Sequence, residues 1–400
     1  MTGPVDVDAE RSATPGCATV AHLNNAGAAL PSTATLDAVI GHLHLEAERG
    51  GYEAAAMMAG RLLDARGSAA RLIGARTDEV AITGSDTHSW TKALWGFTLA
   101  GGVRRGQRLL ADRIAYDSHY LGLLQVCELT GATIEVVPSA GDGTIDLDAL
   151  QAALDTDGVA LVSVTHIGTH RGLINPVEEV GARCRAAGAP LFLDACQSVG
   201  QTPVDVARIG CDVLTGTGRK WLRGPRGTGL LFVRGDFVGR ISPPGIDGRS
   251  AVWEDARRYS LQPGADRFVD FEVPVAAHLG LGAAIGHTLS IGIEAIATRV
   301  DQLAEQLRRS LAAIGGVLVH DGGSRRSGIV TFTVDGITPQ EVVTAASSAG
   351  INLSFTDTAA ARLDLTAPRP LTVVRASPHY YNTEGELDRL VDVVAGLSPA

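Results

Sequence analysis

The chain has little that would mark a nucleic-acid-binding, secreted or disulfide-stabilised protein. Its 400 residues carry 34 lysines and arginines against 44 acidic residues, and the net charge is −10. Because a phosphate backbone requires a continuous basic face, we do not expect nucleic-acid binding. The five cysteines form no CxxC pair and no metal-ligand spacing. Free thiols in a reducing compartment and the absence of a bound metal are therefore expected.

Neither an export signal nor a membrane anchor is expected. The N-terminus carries Asp6, Asp8 and Glu10 where a secretory signal needs basic residues followed by an apolar run. Residues 273–293 lack charged side chains and are long enough to span a bilayer, but they include Pro274 and four glycines. We interpret this stretch as a buried helix of a cytoplasmic protein.

Short apolar runs alternate with segments of helical periodicity through most of the chain. Alternation of this kind predicts an α/β fold with a mostly parallel sheet. Runs such as residues 191–193 are apolar throughout, which is typical of strands covered by helices on both faces. The predicted strands lie at residues 79–84, 132–138, 159–167, 190–195, 212–215 and 229–233.

The pattern changes near residues 241–267, which are rich in proline, glycine and mixed charge. A second block follows, with strand candidates at 328–334 and 371–376 and helices near 338–350 and 384–396. We predict three segments, namely an N-terminal segment (1–35), a large domain (36–290) and a small C-terminal α+β domain (291–400).

Asp194 closes one of the apolar runs, so it should lie at the carboxyl edge of a strand, where open α/β sheets bind ligands. Lys220 lies in TGTGRKW, directly after the next predicted strand, so adjacent strand ends would bring the carboxylate and the amine together. Pyridoxal phosphate needs a lysine amine, an acid beside its pyridine nitrogen, and hydroxyl or N–H groups around its phosphate. Taken alone, Lys220 is better explained as a surface lysine in a loop, and it is the neighbouring Asp194 that favours the cofactor.

Residues 192–229 resemble the active-site segment of the class V aminotransferase family, and the likeness extends over most of the chain. These fold-type I pyridoxal-phosphate enzymes include cysteine desulfurases and isopenicillin epimerases. The resemblance implies a large domain with a mostly parallel, seven-stranded type of sheet and a small C-terminal domain. It assigns Asp194 to the pyridine nitrogen, Gln197 to the ring hydroxyl, Lys220 to the cofactor aldehyde, and Thr217 with Arg219 to the phosphate.

A second cofactor contact is expected at the turn TGSDTH, residues 83–88, which precedes an apolar helix. Backbone N–H groups at a helix start can cradle an anion, and the resemblance places the phosphate there. Gly84, Ser85 and Asp86 are the candidate ligands, although a carboxylate at position 86 repels a phosphate dianion unless it points away. An ordinary helix cap is the alternative interpretation.

Two further side chains are assigned to the cofactor ring by the resemblance. Tyr116 aligns with an aromatic residue that stacks on the pyridine, and we group it with Lys220 and Asp194 as catalytic; simple packing is the alternative. His166 falls where the family often has an asparagine at the ring oxygen, and a structural histidine is the alternative there.

Substrate-binding candidates come from the two ends of the chain. Arg375 lies in VVRASPHYYNT, which resembles the motif whose arginine binds the substrate α-carboxylate, a role that suits the bidentate guanidinium. An ion pair with a nearby glutamate or aspartate is the alternative. Asn25 and Ala26 of LNNAGA, and Tyr52 of RGGY, complete the set by resemblance.

The reaction depends on which bond at the substrate Cα breaks, and Lys220 is the natural base for the Cα proton. Cysteine desulfurases carry a mobile cysteine shortly before the position of Arg375, but residues 351–374 contain no cysteine. We therefore expect a lyase that eliminates the sulfur of an S-substituted cysteine as a thiol or sulfenate, leaving pyruvate and ammonia. RGGY, THRGLINP and GRKWLRGPRG resemble ergothioneine-pathway lyases acting on hercynylcysteine sulfoxide, and lincosamide-pathway enzymes acting on cysteine conjugates.

Other activities fit the same residues. An epimerase or aminotransferase, and a decarboxylating oxidative deaminase of the same conjugate, would use Lys220 and Arg375 equally well. A dinucleotide oxidoreductase is poorly supported, because residues 224–229 lack the G-x-G-x-x-G spacing and precede a strand. The intact Lys-Asp-Arg set disfavours a non-catalytic binding protein. The resemblance also implies a homodimer, although Val275 and His119 replace residues common in the family.

Overall fold

The computed structural model describes residues 3–366 and 371–397. The predicted segment ends at residues 1–2 and 398–400 lie outside this range, and the three-segment division stays a prediction. The strands are β1 (Ala21–His22), β2 (Val80–Thr83), β3 (Arg108–Ala111), β4 (Thr133–Val136), β5 (Val159–Thr165), β6 (Leu191–Asp194), β7 (Val213–Thr217), β8 (Gly229–Val233), β9 (Ala251–Asp255), β10 (Arg258–Leu261), β11 (Val317–Val319), β12 (Val330–Val334), β13 (Ile351–Asn352), β14 (Ser354–Thr356) and β15 (Val373–Ala376).

Helices separate most of these strands. They are α1 (Val7–Ser12), α2 (Thr33–Arg49), α3 (Gly51–Met57), α4 (Ala59–Leu72), α5 (Asp86–Leu99), α6 (Asp117–Thr130), α7 (Leu147–Leu154), α8 (Val177–Ala187), α9 (Val206–Ile209), α10 (Val275–Ile291), α11 (Ile293–Ala312), α12 (Pro339–Ser348), α13 (Arg362–Leu365) and α14 (Glu384–Leu397).

A seven-stranded sheet with the order β2-β8-β7-β6-β5-β3-β4 forms the centre of the molecule. The five strands from β7 to β4 pair in parallel. Only β8 runs antiparallel to both of its neighbours. The predicted α/β fold with a mostly parallel sheet is confirmed.

Successive side chains of the central strands enter two different hydrophobic clusters. In β6, Leu191 and Leu193 belong to one cluster and Phe192 to the other. Because side chains of a strand point alternately to opposite faces, the two clusters are the two faces of the sheet, each covered by helices. Each fully buried side chain of this size contributes about 1.5–3 kcal/mol. Because both faces of the sheet are buried, its central strands are apolar at nearly every position.

The C-terminal part contains a four-stranded antiparallel sheet with the order β11-β12-β15-β14. Its core includes residues from α11, α12 and α14. The short strand β1 pairs in parallel with β13, and Asn24 forms an isolated bridge with Ser377 just beyond β15. The N-terminal segment is thereby held against the end of β15, close to the carboxyl edge of the large sheet.

The apolar stretch at 273–293 forms α10, and many of its side chains are buried. In the described part of the chain, no single helix is long and apolar enough to cross a bilayer. The bent pair α10–α11 reaches that length only across an angle of 82°.

Candidate active site

The carboxyl edge of the large sheet collects the principal predicted site residues. Asp194 is the last residue of β6, His166 directly follows β5, and Lys220 lies three residues beyond β7. All three are buried. The His166 backbone N–H donates to the Asp194 carbonyl oxygen over 2.9 Å, which continues the β5–β6 pairing into the site. Parallel pairing thus brings together residues that are up to 54 positions apart in the sequence.

Lys220 is one of two lysines in the chain, and its environment differs from that of the other. Lys92 forms an ion pair with Asp270, with 2.7 Å between Nζ and Oδ1. Lys220 is 5% exposed, and its amine lies 3.6 Å from Sγ of Cys196 and 5.6 Å from the ring centre of Tyr116. The surface-loop alternative for Lys220 is therefore excluded by its burial, and the amine lies beside Cys196 and Tyr116.

Asp194 is anchored at both oxygens. Its Oδ1 accepts the Cys196 backbone N–H at 2.8 Å, and its Oδ2 lies 3.5 Å from Nδ1 of His119. Burial, with repulsion from Asp86, raises the pKa of Asp194 although the nearby His119 opposes the shift. A cationic pyridine nitrogen placed against this carboxylate would relieve the cost of burying it.

The turn before α5, where the phosphate is predicted to bind, forms a capped helix N-terminus. Ser85 caps this 14-residue helix, and its Oγ accepts the His88 N–H at 3.1 Å. Gly229 at the start of β8 passes so close to the Ser85 backbone that a Cβ atom would overlap it. Gly84 and Ser85 therefore lie at the positive end of a helix, where the Gly84 N–H donates to Nδ1 of His88 at 3.4 Å.

Thr217 is the last residue of β7, and Arg219 directly precedes Lys220. The Thr217 hydroxyl donates to the Thr228 carbonyl oxygen at 3.4 Å. The Arg219 guanidinium donates to the Gly27 carbonyl oxygen in the N-terminal segment. Their assignment to the phosphate stays a prediction.

Asp86 does not use its carboxylate in the way that the phosphate assignment requires. Its Oδ2 lies 2.8 Å from Nε2 of His119, and the side chain is buried. Desolvation would raise the pKa of Asp86, but the charge and hydrogen bond of His119 outweigh it and lower the pKa. The carboxylate is thus ionised and directed to the imidazole of His119.

The two residues assigned to the cofactor ring occupy different environments. Tyr116 caps α6 and is half-buried, with its ring close to the Lys220 amine. His166 is buried, and its Nδ1 has no hydrogen-bond partner among the described residues. Burial lowers the pKa of His166 to about 3, so its ring is neutral and can donate to or accept from a bound group.

Arg375 lies in β15 and is buried. Its Nη1 donates to the Thr169 carbonyl oxygen at 3.3 Å and its Nη2 to Oδ1 of Asn24 at 3.4 Å. Burial lowers the pKa of Arg375 to about 10, so the guanidinium stays charged near neutral pH. Within the described residues no carboxylate lies within ion-pair distance of it, which leaves the guanidinium available for a substrate carboxylate.

Asn25 and Ala26 hold the N-terminal segment in place. The Asn25 amide donates to the His22 and Ser377 carbonyl oxygens and accepts from the Tyr381 hydroxyl. Ala26 accepts the Gln197 amide N–H at 3.1 Å. The neighbour Asn24, which the sequence reasoning missed, is the residue that contacts Arg375. Asn24 and Asn25 are adjacent and identical in type, so the sequence does not indicate which of them contacts Arg375.

Gln197 and Tyr52 stand apart from the other assignments. The Gln197 amide nitrogen donates to the Ala26 carbonyl oxygen, and the amide oxygen accepts the Trp221 indole N–H at 2.8 Å, so both amide atoms already have a partner.

Tyr52 is 78% exposed on α3 and lines an open groove with Phe271 and Arg249. The lining of that groove contains none of the predicted cofactor-binding residues. Both assignments stay predictions.

The residues present fit pyridoxal phosphate. A buried amine, a buried carboxylate and a capped helix N-terminus lie around one pocket. Several buried polar atoms there have no partner in the described part of the chain, as expected where a polar group binds. They are Nδ1 of His166, Oδ1 of Asp112 and Nε of Arg375.

Comparison with known proteins agrees with this geometry. The model of the family "Aminotransferase class-V" matches residues 21–390. A probable hercynylcysteine sulfoxide lyase of Mycobacterium tuberculosis is 32% identical over 383 residues, covering 95% of this chain and 90% of the relative. A probable cysteine desulfurase of Methanothermobacter thermautotrophicus is 29% identical over 357 residues, covering 87% of each chain.

Among solved structures, the cysteine desulfurase of Thermococcus onnurineus superposes with a TM-score of 0.91 at 24% identity, covering 99% of each chain. This likeness shows the same fold, the fold-type I architecture expected from the sequence.

Proposed function

The chain belongs to the aminotransferase class-V family, and from this membership we propose that it is a lyase that cleaves the C–S bond of an S-substituted cysteine. Its cofactor is pyridoxal phosphate, which when bound withdraws electrons from the substrate Cα. The proposed products are pyruvate, ammonia and a thiol or sulfenate.

The side chains divide this work among themselves. The Arg375 guanidinium binds the substrate α-carboxylate, because it is buried, charged and without a carboxylate partner among the described residues. The Lys220 amine removes the Cα proton from within the pocket. Tyr116, whose ring centre lies 5.6 Å from that amine, would pack against the cofactor ring. Asp194 would hold the pyridine nitrogen.

The observation that carries the proposal concerns sulfur acceptors. A desulfurase needs a mobile thiolate, and residues 351–374, which precede and include the start of β15, contain no cysteine. Cys196 lies in the pocket, but burial raises the pKa of its thiol well above the usual range, so it stays protonated and is a poor nucleophile. The other four cysteines, Cys17, Cys127, Cys184 and Cys211, pack into or against the hydrophobic clusters. Elimination needs no such acceptor.

One relative supports the lyase proposal. The relative from M. tuberculosis is named as a lyase of a cysteine sulfoxide, whereas the others are named as cysteine desulfurases. We propose accordingly that the substrate is a bulky cysteine conjugate from the biosynthesis of a natural product or a small thiol. The proposed location is the cytoplasm, where its five free cysteines would stay reduced.

We further propose that the active form is a homodimer. The open groove of about 700 Å³ between α3, α4 and the segment before α10 is lined by exposed apolar side chains, including Tyr52, Leu63 and Phe271. Trp253, on the hairpin of β9 and β10, is 82% exposed. Apolar surface on this scale marks an association site. The family resemblance implies that a second copy of this chain covers this groove.

Sedimentation velocity tests the dimer. Phe271→Glu is expected to give monomers where the unmodified chain gives dimers, while Leu318→Glu, at an equally exposed leucine on β11, is the matched control. A fully active monomer of the unmodified chain would contradict the proposal.

The reaction is tested by incubating the holoenzyme with S-substituted cysteines and, separately, with free cysteine. We expect pyruvate, ammonia and the thiol or sulfenate in equal amounts from the conjugate. Stoichiometric alanine from free cysteine would indicate a desulfurase instead. Carbon dioxide release with oxygen uptake would indicate an oxidative deaminase, and amino exchange with a keto acid would indicate an aminotransferase.

A further inference from the structure

Asp86, His119 and Asp194 form a buried row of side chains at one end of the cofactor pocket. We propose that Asp86 and His119 are positioning residues, which hold Asp194 in place as an oriented carboxylate for the pyridine nitrogen. The inference rests on the cofactor pocket described above. It gives Asp86 a role other than the phosphate contact expected from the sequence.

The row is continuous and closed to solvent. Oδ2 of Asp86 lies 2.8 Å from Nε2 of His119, and Nδ1 of the same ring lies 3.5 Å from Oδ2 of Asp194. All three side chains are buried. Nε2 of His119 is hydrogen-bonded to Asp86 and Nδ1 faces Asp194 at ion-pair distance, so a ring that carries a proton on both nitrogens lies between two carboxylates.

Packing fixes the orientation of the imidazole. The indole of Trp90 stacks on it, with ring centres 4.2 Å apart and 10° between the planes. A Cβ atom at Gly122 would lie 3.1 Å from Nε1 of Trp90, so the absence of a side chain there admits the indole. Trp90 belongs to α5, His119 to α6 and Asp194 to β6. The row therefore joins three elements that surround the cofactor pocket.

The charges around the row favour an imidazolium. Burial alone would lower the pKa of His119, but the Asp86 and Asp194 carboxylates outweigh it and raise the pKa. Lys220 acts against this shift from the pocket side. Asp112, which follows β3, is the other acidic group that interacts with His119, but burial raises the pKa of Asp112 to about 8 and leaves it largely protonated near neutral pH.

The two carboxylates are not equivalent. The pKa of Asp86 is lowered although burial opposes this shift. The pKa of Asp194 is raised, and burial is the main cause. Asp86 therefore supplies the constant negative charge that keeps His119 protonated. The protonated ring in turn favours the ionised form of Asp194, which is the form that a pyridinium nitrogen needs.

The same geometry argues against Asp86 as a phosphate ligand. Its Oδ2 is committed to His119, and a carboxylate beside a phosphate dianion would be repelled. Ser85 and the positive end of α5 are better suited to the anion.

The test measures the titration of His119 by NMR in the cofactor-free chain with isotope-labelled histidine, assigned by loss of the signal in His119→Gln. We expect a midpoint above the ordinary histidine value in the unmodified chain. In Asp86→Asn the midpoint should fall by about 1–3 pH units, because one of the two carboxylates that stabilise the His119 imidazolium is lost. An unchanged midpoint in Asp86→Asn would overturn the proposal. Since no cofactor is present, this outcome is independent of whether the lyase assignment is correct.

A second measurement separates the positioning role from phosphate binding. If Asp86 acts through Asp194, Asp86→Asn should weaken the binding of pyridoxal and of pyridoxal phosphate by the same factor. Ser85→Gly, the matched control in the same turn, should weaken only the phosphorylated form. A loss confined to pyridoxal phosphate in Asp86→Asn would show a phosphate contact and refute the proposal.

Should Asp86→Asn fail to fold, the unmodified protein still provides a test. Protonated imidazole quenches a stacked indole, so the fluorescence difference between the unmodified chain and Trp90→Phe should rise with pH at the His119 midpoint. A difference that is independent of pH, or that changes below the ordinary histidine value, would contradict an imidazolium held between two carboxylates.

Discussion

The amine of Lys220 lies 3.6 Å from the sulfur of Cys196, which is two residues beyond Asp194. A thiol beside the proposed base raises the question of whether it accepts sulfur. Burial and the nearby Asp86 carboxylate raise the pKa of the Cys196 thiol well above its usual range. The sulfur therefore serves as a packed, uncharged neighbour of the amine.

Cys196→Ser is accordingly expected to keep C–S cleavage within about threefold of the unmodified enzyme, because a small polar group replaces another of similar size. The measurement is pyruvate release from an S-substituted cysteine, with Cys17→Ser as the control. Intact-mass analysis during turnover should find no added sulfur on any of the five cysteines. A persulfide on Cys196 would refute the lyase proposal.

Lys220→Ala is expected to abolish covalent attachment of pyridoxal phosphate and to reduce the rate of pyruvate release by about 10²–10⁴-fold, since it removes the proposed base. Borohydride reduction followed by peptide mass spectrometry locates the attachment. The chain offers a direct control, because Lys92 is its only other lysine and is paired with Asp270. Lys92→Arg should leave attachment at Lys220 intact; label on Lys92 would contradict the assignment.

Arg375→Lys is expected to lower kcat/KM by about 10–100-fold, because a point charge replaces a guanidinium that can bind a carboxylate through two hydrogen bonds. The loss should appear mainly in KM. An α-carboxamide analogue of the substrate provides the control, since it lacks the carboxylate. If Arg375→Lys lowers kcat/KM for the carboxamide analogue as strongly as for the carboxylate substrate, the guanidinium does not bind the carboxylate.

Asp112 supplies a pH-dependent prediction. Burial raises its pKa to about 8, and its Oδ2 accepts hydrogen bonds from the Thr165 backbone N–H and from Asn175. An unfolded aspartate ionises near pH 4, so the stability associated with this proton is present below about pH 4 and is lost as the pH rises towards 8. Asp112→Asn keeps an acceptor and removes the titration.

The thermal midpoint of Asp112→Asn should therefore equal that of the unmodified chain near pH 4 and exceed it increasingly up to pH 8. Asp142→Asn is a control with the opposite sign, because hydrogen bonds from Thr144 lower the pKa of that exposed carboxyl. A difference for Asp112→Asn that shrinks as the pH rises would contradict a protonated carboxyl at this position.

Several features of the site followed from local sequence alone. Asp194 ends an apolar run and Lys220 follows the next one, and the rule that parallel strands end at one edge was sufficient to predict their proximity. Ser85 before an apolar helix was recognisable as a cap. The alternating strands and helices predicted the sheet for the same reason, since hydrophobic periodicity reflects which faces are buried.

Other features depended on contacts between distant segments. Asn24 rather than Asn25 contacts Arg375, 351 residues away, because Asn24 forms a bridge with Ser377 just beyond β15, and the direction of each side chain is set by that packing. Asp86 was expected at the phosphate, but its contact with His119 is decided by the way α5 packs on α6. The sequence by itself therefore determined the fold class and the backbone positions of the central residues. The tertiary structure alone decided where their side chains point, because rotamers are selected by neighbours that no local pattern identifies.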